Sequence, residues 1–440
     1  MKKQFELLAQ HVYAQITNAS EDLILNFDAE KSQFIRFNHG HVRQTGTVEQ
    51  AFITGKIVKE GKTYFFRCPF SSQEETAEFI KTEIENFRIA HHKLPMDPYA
   101  TKSIHSHSIC DMYPATLPNA EDIPAIVNRV VPELDFVGIY GGGTSFRGVS
   151  FPSGTRHWFE TTTFSLDYSI YLANGRAIRS TYSEKNWNTT NFEKQIATEK
   201  QQISALEQPI KKLERGNYRC YICPSAASEL VAMQTGNCFS EQALQQKESP
   251  FCKLLENQKP LSPLFSLSED FSTGLVPRFN SIGEVSPQKI ELVANGKFKA
   301  SLIGSRSAKE YQKQTNGAEV SENVRSPVMP PGNLDAEKAL ETLGTGIYIS
   351  ALHYLNYSDV PNARITGMTR YSCLWVENGK FVAPINDLRF DDSLYSLFGT
   401  NLEAVTNKVE FIPDTMSYER RSLGGYCCPG ILVKEMCFTL

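Results

Sequence analysis

The sequence has 440 residues, 41% hydrophobic and 21% charged, with 27 Gly and 22 Pro, a balance that gives room for two or three buried cores and excludes collagenous, coiled-coil and wholly disordered chains. Its 45 Lys and Arg against 49 Asp and Glu leave a formal net charge of −4, which argues against direct nucleic-acid binding, because neutralising phosphates needs a cationic excess. No apolar run approaches the ~18 residues of a membrane span, and Met1-Lys2-Lys3-Gln4-Phe5-Glu6 turns polar before a signal-peptide core could form, so a cytoplasmic protein without membrane association is expected.

Phe5, Leu7, Leu8, Val12 and Ile16 predict an opening helix. Strands follow over 23–27 and 32–37, joined by a turn at Asp28-Ala29-Glu30, then over 42–46, 48–54 and 62–68, a meander with Gly40 at one turn. A helix over 71–90 has Ser72 as N-cap, Glu74 and Glu75 in its first turn, and Phe79, Ile80, Ile84 and Phe87 as its apolar stripe. An irregular segment over 91–118 leads to a helix over 121–131. Alternating strands then run from Phe136 to Ser183, with Asn174-Gly175 as a hairpin turn.

Residues 191–214 read as a mostly polar helix bridging two domains. A strand over 218–223 and a Pro-started helix over 225–234 open the second domain. Its tract 308–333, polar and rich in Ser, Asn and Pro, is too long for an ordinary connection and predicts a lid or a loop ordered by a partner. Strands are expected over 346–352, 365–377, 380–385, 405–412 and 430–438, and no internal repeat is found. The fold class is α+β: an N-terminal mixed domain with an antiparallel sheet over 1–190, a bridging helix over 191–215, and a β-rich C-terminal domain over 216–440.

Several constellations invite chemistry. A zinc hydrolase commonly needs two His one helical turn apart beside a Glu, yet none of the nine His here precedes a Glu. His39 with His41, and His105 with His107 and Cys110, have the i, i+2 spacing that puts ligands on one strand face, but no acidic partner lies nearby to complete a metal set. Cys220 and Cys223 fall on opposite strand faces and lack a second pair. Gly141-Gly142-Gly143 is followed by a strand, so no helix N-terminus is offered to a phosphate. The ten Cys form no regular framework and are expected to be mostly buried thiols. Cys427 and Cys428 have no His after His353 to activate them.

In sequence order, Ser32-Gln33-Phe34-Ile35-Arg36-Phe37 with Val42-Arg43-Gln44-Thr45-Gly46, Gly138-Ile139-Tyr140 leading to Phe146-Arg147-Gly148, Gly216-Asn217-Tyr218-Arg219 with Pro224-Ser225-Ala226-Ala227-Ser228-Glu229-Leu230, Gly344-Thr345-Gly346-Ile347-Tyr348-Ile349, and Thr366-Gly367 followed by Trp375-Val376-Glu377-Asn378-Gly379-Lys380 resemble the TldD/PmbA family. That family is described as modulators of DNA gyrase and as a two-component cytosolic metalloprotease. Its catalytic chains carry a His-Glu-x-x-x-His helix just after the strand that here ends at Cys223, with a Cys near the C-terminus as a further zinc ligand. Here the helix reads Leu230-Val231-Ala232-Met233-Gln234-Thr235-Gly236, with no imidazole or carboxylate.

The resemblance therefore implies the PmbA (TldE) branch. Such a chain has no catalytic residue and no cofactor of its own, with zinc held only by a TldD-type catalytic partner, and it acts on unfolded or extended peptides. Tyr371, Cys373 and Trp375 are the peptide-binding candidates on the C-terminal strands. Two alternatives stand beside this reading. One is a stand-alone homodimer, and the other is a self-sufficient hydrolase using a metal at His105, His107 and Cys110 or a nucleophile at Cys427 or Cys428.

Overall fold

A computed structural model of the chain describes residues 1–15, 20–104 and 107–439. Helix α1 (Lys2–Ala14) buries Phe5, Leu8, Ala9 and Val12, one face at helical spacing; Ile16, expected to extend that stripe, lies outside the described residues. Strands β1 (Asp22–Asn38) and β2 (His41–Lys59) form a long antiparallel hairpin. Its two-residue turn is closed by His39 and Gly40, both at positive φ (49° and 72°). Strand β3 (Lys62–Pro69) pairs with β2, and α2 (Gln73–Ala90) starts at Ser72, whose hydroxyl accepts a hydrogen bond from the Glu75 N–H.

Strand β4 (Cys110–Tyr113), helix α3 (Ile123–Val130), and strands β5 (Asp135–Ser150), β6 (Arg156–Tyr171) and β7 (Ala177–Tyr182) complete the N-terminal lobe. The sheet order is β3-β2-β1-β5-β6-β4 with β7 beside β6, and β4 pairs parallel with β6. Gly141-Gly142-Gly143 lies within β5.

The turn expected at Asp28-Ala29-Glu30 does not form: β1 runs straight through it, and 42–46 and 48–54 are likewise one strand. The two acids mimic a turn in sequence but are held in the strand by partners within β1, on neighbouring strands and on the 414–424 segment, where the Arg421 backbone N–H donates to the Glu30 carboxylate at 3.4 Å. Asp28 pairs with Arg147 at 2.8 Å and with Arg420, and Glu30 accepts from Ser32 Oγ at 2.9 Å and Gln50 Nε2 at 2.6 Å.

Helix α4 (Thr189–Leu206) stops short of the expected residue 214. Pro209 cannot continue it, and Asn174 Nδ2 (3.1 Å) and the Arg176 guanidinium donate to the terminal carbonyl of Leu206. Buried Phe192, Ile196 and Leu206 join Leu374 of the second lobe in one apolar cluster.

The C-terminal lobe begins with β8 (Gly216–Ile222) and α5 (Pro224–Thr235). Short strands β9 (Leu267–Asp270), β10 (Lys289–Ala294), β11 (Lys297–Phe298) and β12 (Pro327–Val328) follow. Then come β13 (Gly346–Ile349), β14 (Leu352–Asp359), β15 (Arg364–Thr369), β16 (Leu374–Glu377), β17 (Lys380–Pro384), β18 (Arg389–Ser393), β19 (Leu402–Pro413) and β20 (Gly425–Phe438). The expected single strand over 365–377 is thus two, broken where Tyr371 adopts φ 60°.

The sheet runs β11-β10-β9-β12-β20-β8-β13-β16-β17, with β19 also on β20 and β14-β15-β18 attached through β18. Tract 308–333 is not a detached lid. It contributes β12 to the sheet, buries Ala318, Val324 and Met329, and places the Glu322 carboxylate on Ser240 Oγ (2.7 Å) and the Gln242 and Gly304 N–H groups (2.9 and 2.8 Å). Its polar residues satisfy neighbouring backbone groups within the same chain.

The lobes touch at several places, of which two junctions lie on the N-terminal sheet. Ile24, Val149, Phe151 and Phe159 pack on Phe279 and Ile282, and buried His157 stacks on Phe279 (5.3 Å) with its Nε2 3.1 Å from the Gly283 carbonyl. Gly283 sits at φ 87°, and a Cβ there would lie 2.1 Å from the Phe151 ring, so only glycine fits.

The second junction is an arm, residues 414–424 between β19 and β20, that reaches onto the N-terminal sheet. Arg421, 8% exposed, donates to Ser32 Oγ and the Gly143 carbonyl (both 3.3 Å) and to Thr163 Oγ1 and O (2.7 and 3.0 Å). Burial works against its charge, and the Glu30 carboxylate beneath it offsets part of that cost.

Two consequences are measurable. Arg421→Met leaves Glu30 buried without its cation and should cost roughly 3–5 kcal/mol in urea unfolding, much of it recovered when Glu30→Gln is added. Glu199 of α4, 6% exposed, accepts from Tyr168 Oη at 2.8 and 2.9 Å, and burial pushes its carboxyl up from 4.5 to about 7. The folded state therefore keeps a proton that the unfolded chain has already released. The associated stability is present at acid pH and lost as pH rises through about 7, on the order of 3 kcal/mol in total. Unfolding free energies at pH 5 and pH 8 should show this fall in the native protein and a much smaller one in Glu199→Gln.

Candidate functional site

Helix α5 lies against β20 with Ala226, Ala227, Leu230, Val231 and Gln234 buried. Pro224 occupies its first turn, where no N–H is needed. Its first turn is tied to a corner made by residues 349–354 and 368–373. The Cys223 N–H donates to the Ile349 carbonyl (3.1 Å) and its thiol to the Ser350 carbonyl (3.3 Å), while the Arg370 N–H donates to the Ala351 carbonyl (3.2 Å). Two tyrosines of this corner, Tyr354 and Tyr371, have left-handed backbones (φ 55° and 60°), which are outliers for bulky side chains.

The Tyr371 ring carries a guanidinium from each lobe: Arg370 5.2 Å and Arg179 of β7 5.9 Å from its centroid. Arg179 also pairs with Asp167 at 3.5 Å. His353 and Tyr354 meet as tilted rings with centroids 4.1 Å apart, and partial burial followed by the charges of Arg370 and Arg179 holds the imidazole below its ordinary value. On the accessible side of α5, Glu229 has its carboxyl raised by the surrounding protein, with Arg179 opposing. Asp167 connects this corner to an open cleft of about 560 Å³ between the N-terminal sheet and the arm, lined by Phe34, Ile139, Phe411, Met416 and Arg421 among others. The cleft is partly apolar, and through the Asp167–Arg179 pair it borders the cationic corner.

The three residues expected to hold a peptide are not brought to one face. Tyr371 stands half-buried at the corner. Cys373 is 3% exposed, with its thiol donating to the Arg370 carbonyl at 3.2 Å. Trp375 lies in β16, its indole N–H on Glu377 Oε1 (2.6 Å) and Lys211 Nζ 4.4 Å over its ring. β16 is hydrogen-bonded to β13 on one side and β17 on the other, and β20 lies between β8 and β19. Neither strand has the free edge that peptide addition requires.

His105 lies outside the described residues. His107 and Cys110 are exposed, and Lys2 Nζ donates to Cys110 Sγ at 3.2 Å. His39 sits in the first hairpin beside Asp135 (2.6 Å), with His41 exposed after it. Among the described residues, no group of three or more His, Cys, Asp or Glu is arranged to hold a metal. Burial pushes the Cys427 thiol up to about 11 and Cys428 higher still, the opposite of what a thiolate nucleophile needs. Arg179, Arg370 and His353 were not distinguishable in sequence. Arg370-Tyr371 is an ordinary dipeptide until the turn stacks it against a residue nearly two hundred positions away.

Residues 215–439 match the family model described as the PmbA/TldA metallopeptidase C-terminal domain. A search of curated protein sequences finds no match. Among solved structures, the chain is similar to TldE from Thermococcus kodakarensis (TM-score 0.76, 14% identity, covering 99% of this chain and 100% of that one). It is also similar to a Thermotoga maritima protein described as a modulator of a DNA gyrase (0.75, 16%, 99% and 100%), and to a Bacteroides thetaiotaomicron protein described likewise (0.74, 16%, 99% and 98%). At these identities the structural likeness establishes the shared α+β fold over the whole chain.

The cysteine environments make a prediction. At pH 7.5 iodoacetamide should modify exposed Cys110 first, Cys427 slower by on the order of a hundredfold and Cys428 more slowly again; peptide mapping by mass spectrometry reads the order directly.

Proposed function

The chain belongs to the PmbA/TldD metallopeptidase family, and we propose that within it the protein is a non-catalytic subunit that holds extended peptides for a zinc-bearing partner chain. The observation that carries this is the composition of α5. Its buried face is Ala226, Ala227, Leu230 and Val231, its only carboxylate is Glu229, and it contains no His. Zinc sites are built from imidazole, thiolate and carboxylate groups converging on one point. Here the nearest thiol, Cys223, is engaged by the Ser350 carbonyl, and burial pushes it up to about 12, a poor environment for the thiolate that metal binding needs.

What α5 retains is the geometry for holding a substrate. The cleft beside the arm, the Tyr371 corner and Glu229 form a surface bounded by both lobes. An extended chain could lie along it with apolar side chains against Phe34 and Phe411. Such a subunit would act on peptides by shaping and orienting them for chemistry done by another chain.

Metal content and peptidase activity test this reading together. The full chain, purified without chelator and dialysed against micromolar zinc, should retain well under one equivalent by elemental analysis and should leave unfolded casein intact. One tightly held equivalent of zinc with chelator-sensitive cleavage would overturn the proposal.

A further inference from the structure

We propose that the corner formed by Arg370, Tyr371 and Arg179 binds a carboxylate of the extended peptide. The inference deepens the function proposed above and rests on it for the nature of the ligand. Arg370 and Arg179 approach the Tyr371 ring at 5.2 and 5.9 Å. A guanidinium held over an aromatic face by cation–π attraction spends none of its N–H donors on that contact, and those donors match a carboxylate in bidentate fashion. Arg179 already has Asp167 at 3.5 Å. Among the described residues, no carboxylate or carbonyl accepts a hydrogen bond from the Arg370 guanidinium, so its donors are the ones open to a ligand.

A second, independent observation marks the same place. Tyr354 and Tyr371, both bulky, are held at φ 55° and 60° on the two facing segments of the corner, whose backbones are joined by the Arg370 N–H to Ala351 carbonyl bond. Backbone strain of this kind persists only where the surrounding structure fixes it, commonly at ligand sites. Tyr371 stands between β15 and β16, and its ring meets Arg179 of β7 in the other lobe as well as Arg370, so two arginines far apart in sequence share it.

His353 adds to the site without adding charge at neutral pH, since burial and the two arginines keep its imidazole low. Glu229 and Asp167 flank Arg179 and restrict that side. The anion is therefore expected to seat on Arg370, with Arg179 and Tyr371 as the platform. Either a C-terminal carboxylate or an Asp or Glu side chain supplies the required chemistry.

The test is calorimetric titration of the full chain with three eight-residue peptides of one apolar sequence. One has an amidated C-terminus and neutral side chains, one a free C-terminus, and one an amidated C-terminus with a single central Glu. The proposal expects at least one carboxylate-bearing peptide to bind tenfold or more tighter than the neutral one, and the tighter of the two identifies the source. Arg370→Met should abolish that preference and Arg370→Lys should keep part of it, with the melting temperature of both variants near that of the native protein because the side chain is exposed. Equal binding of all three peptides, binding of none, or an undiminished preference in Arg370→Met would each overturn the proposal. Zinc content and casein cleavage do not involve Arg370, so the subunit reading stands or falls separately.

Discussion

The fold depends on one buried cation. Arg421 leaves the β19–β20 arm of the C-terminal lobe and ends inside the N-terminal sheet, where Ser32, Gly143 and Thr163 take its hydrogen bonds and Glu30 lies beneath it. A guanidinium in such a place is costly unless every donor is used and an anion is near. Those demands fix where the arm must sit. Arg420 on Asp28 and the Glu419 carbonyl on Gln50 Nε2 (2.6 Å) extend the same grip. The cleft is the space this grip leaves between arm and sheet, so its shape is set by a polar junction more than by apolar packing.

The apolar junction at Phe279 and Gly283 lies further along the same face of β1 and β5, where Ile24 and Val149 share the side of Ser32 and Gly143, and fixes the lobes at a second point. Two separated junctions restrict hinge motion between lobes more than one would. The corner at Tyr371 benefits directly. Arg179 and Arg370 belong to different lobes, and their shared ring contact exists only while the lobes keep their relation.

Much of this was legible in the sequence. Periodicity identified α1, α2 and the long alternating strands, and Asn174-Gly175 and Gly40 fixed hairpin turns because positive φ is required there. The failures share a cause. Asp28 and Glu30 looked like a turn because isolated acids seldom sit inside a strand, and their partners Arg147, Arg420 and Arg421 are more than a hundred residues away. Tract 308–333 looked like a lid because its polar groups satisfy backbone atoms of residues 240–304 that no local pattern announces. The missing metal ligands on α5 were readable from the sequence itself. Arg179 and Arg370 were not, since their meaning lies in a contact across the lobes.

The proposed subunit role, in which this chain contributes binding surface to a site whose metal lies elsewhere, is tested most directly by reconstitution with a second chain. Co-expression with a family member carrying the His-Glu-x-x-x-His helix, followed by size-exclusion chromatography with light scattering, should give a stoichiometric complex burying more than roughly 2,000 Å², and that complex should cleave unfolded peptides that neither chain cleaves alone. A chain that elutes as a monomer beside the metal-bearing one, with peptide cleavage unchanged by its presence, would contradict the account.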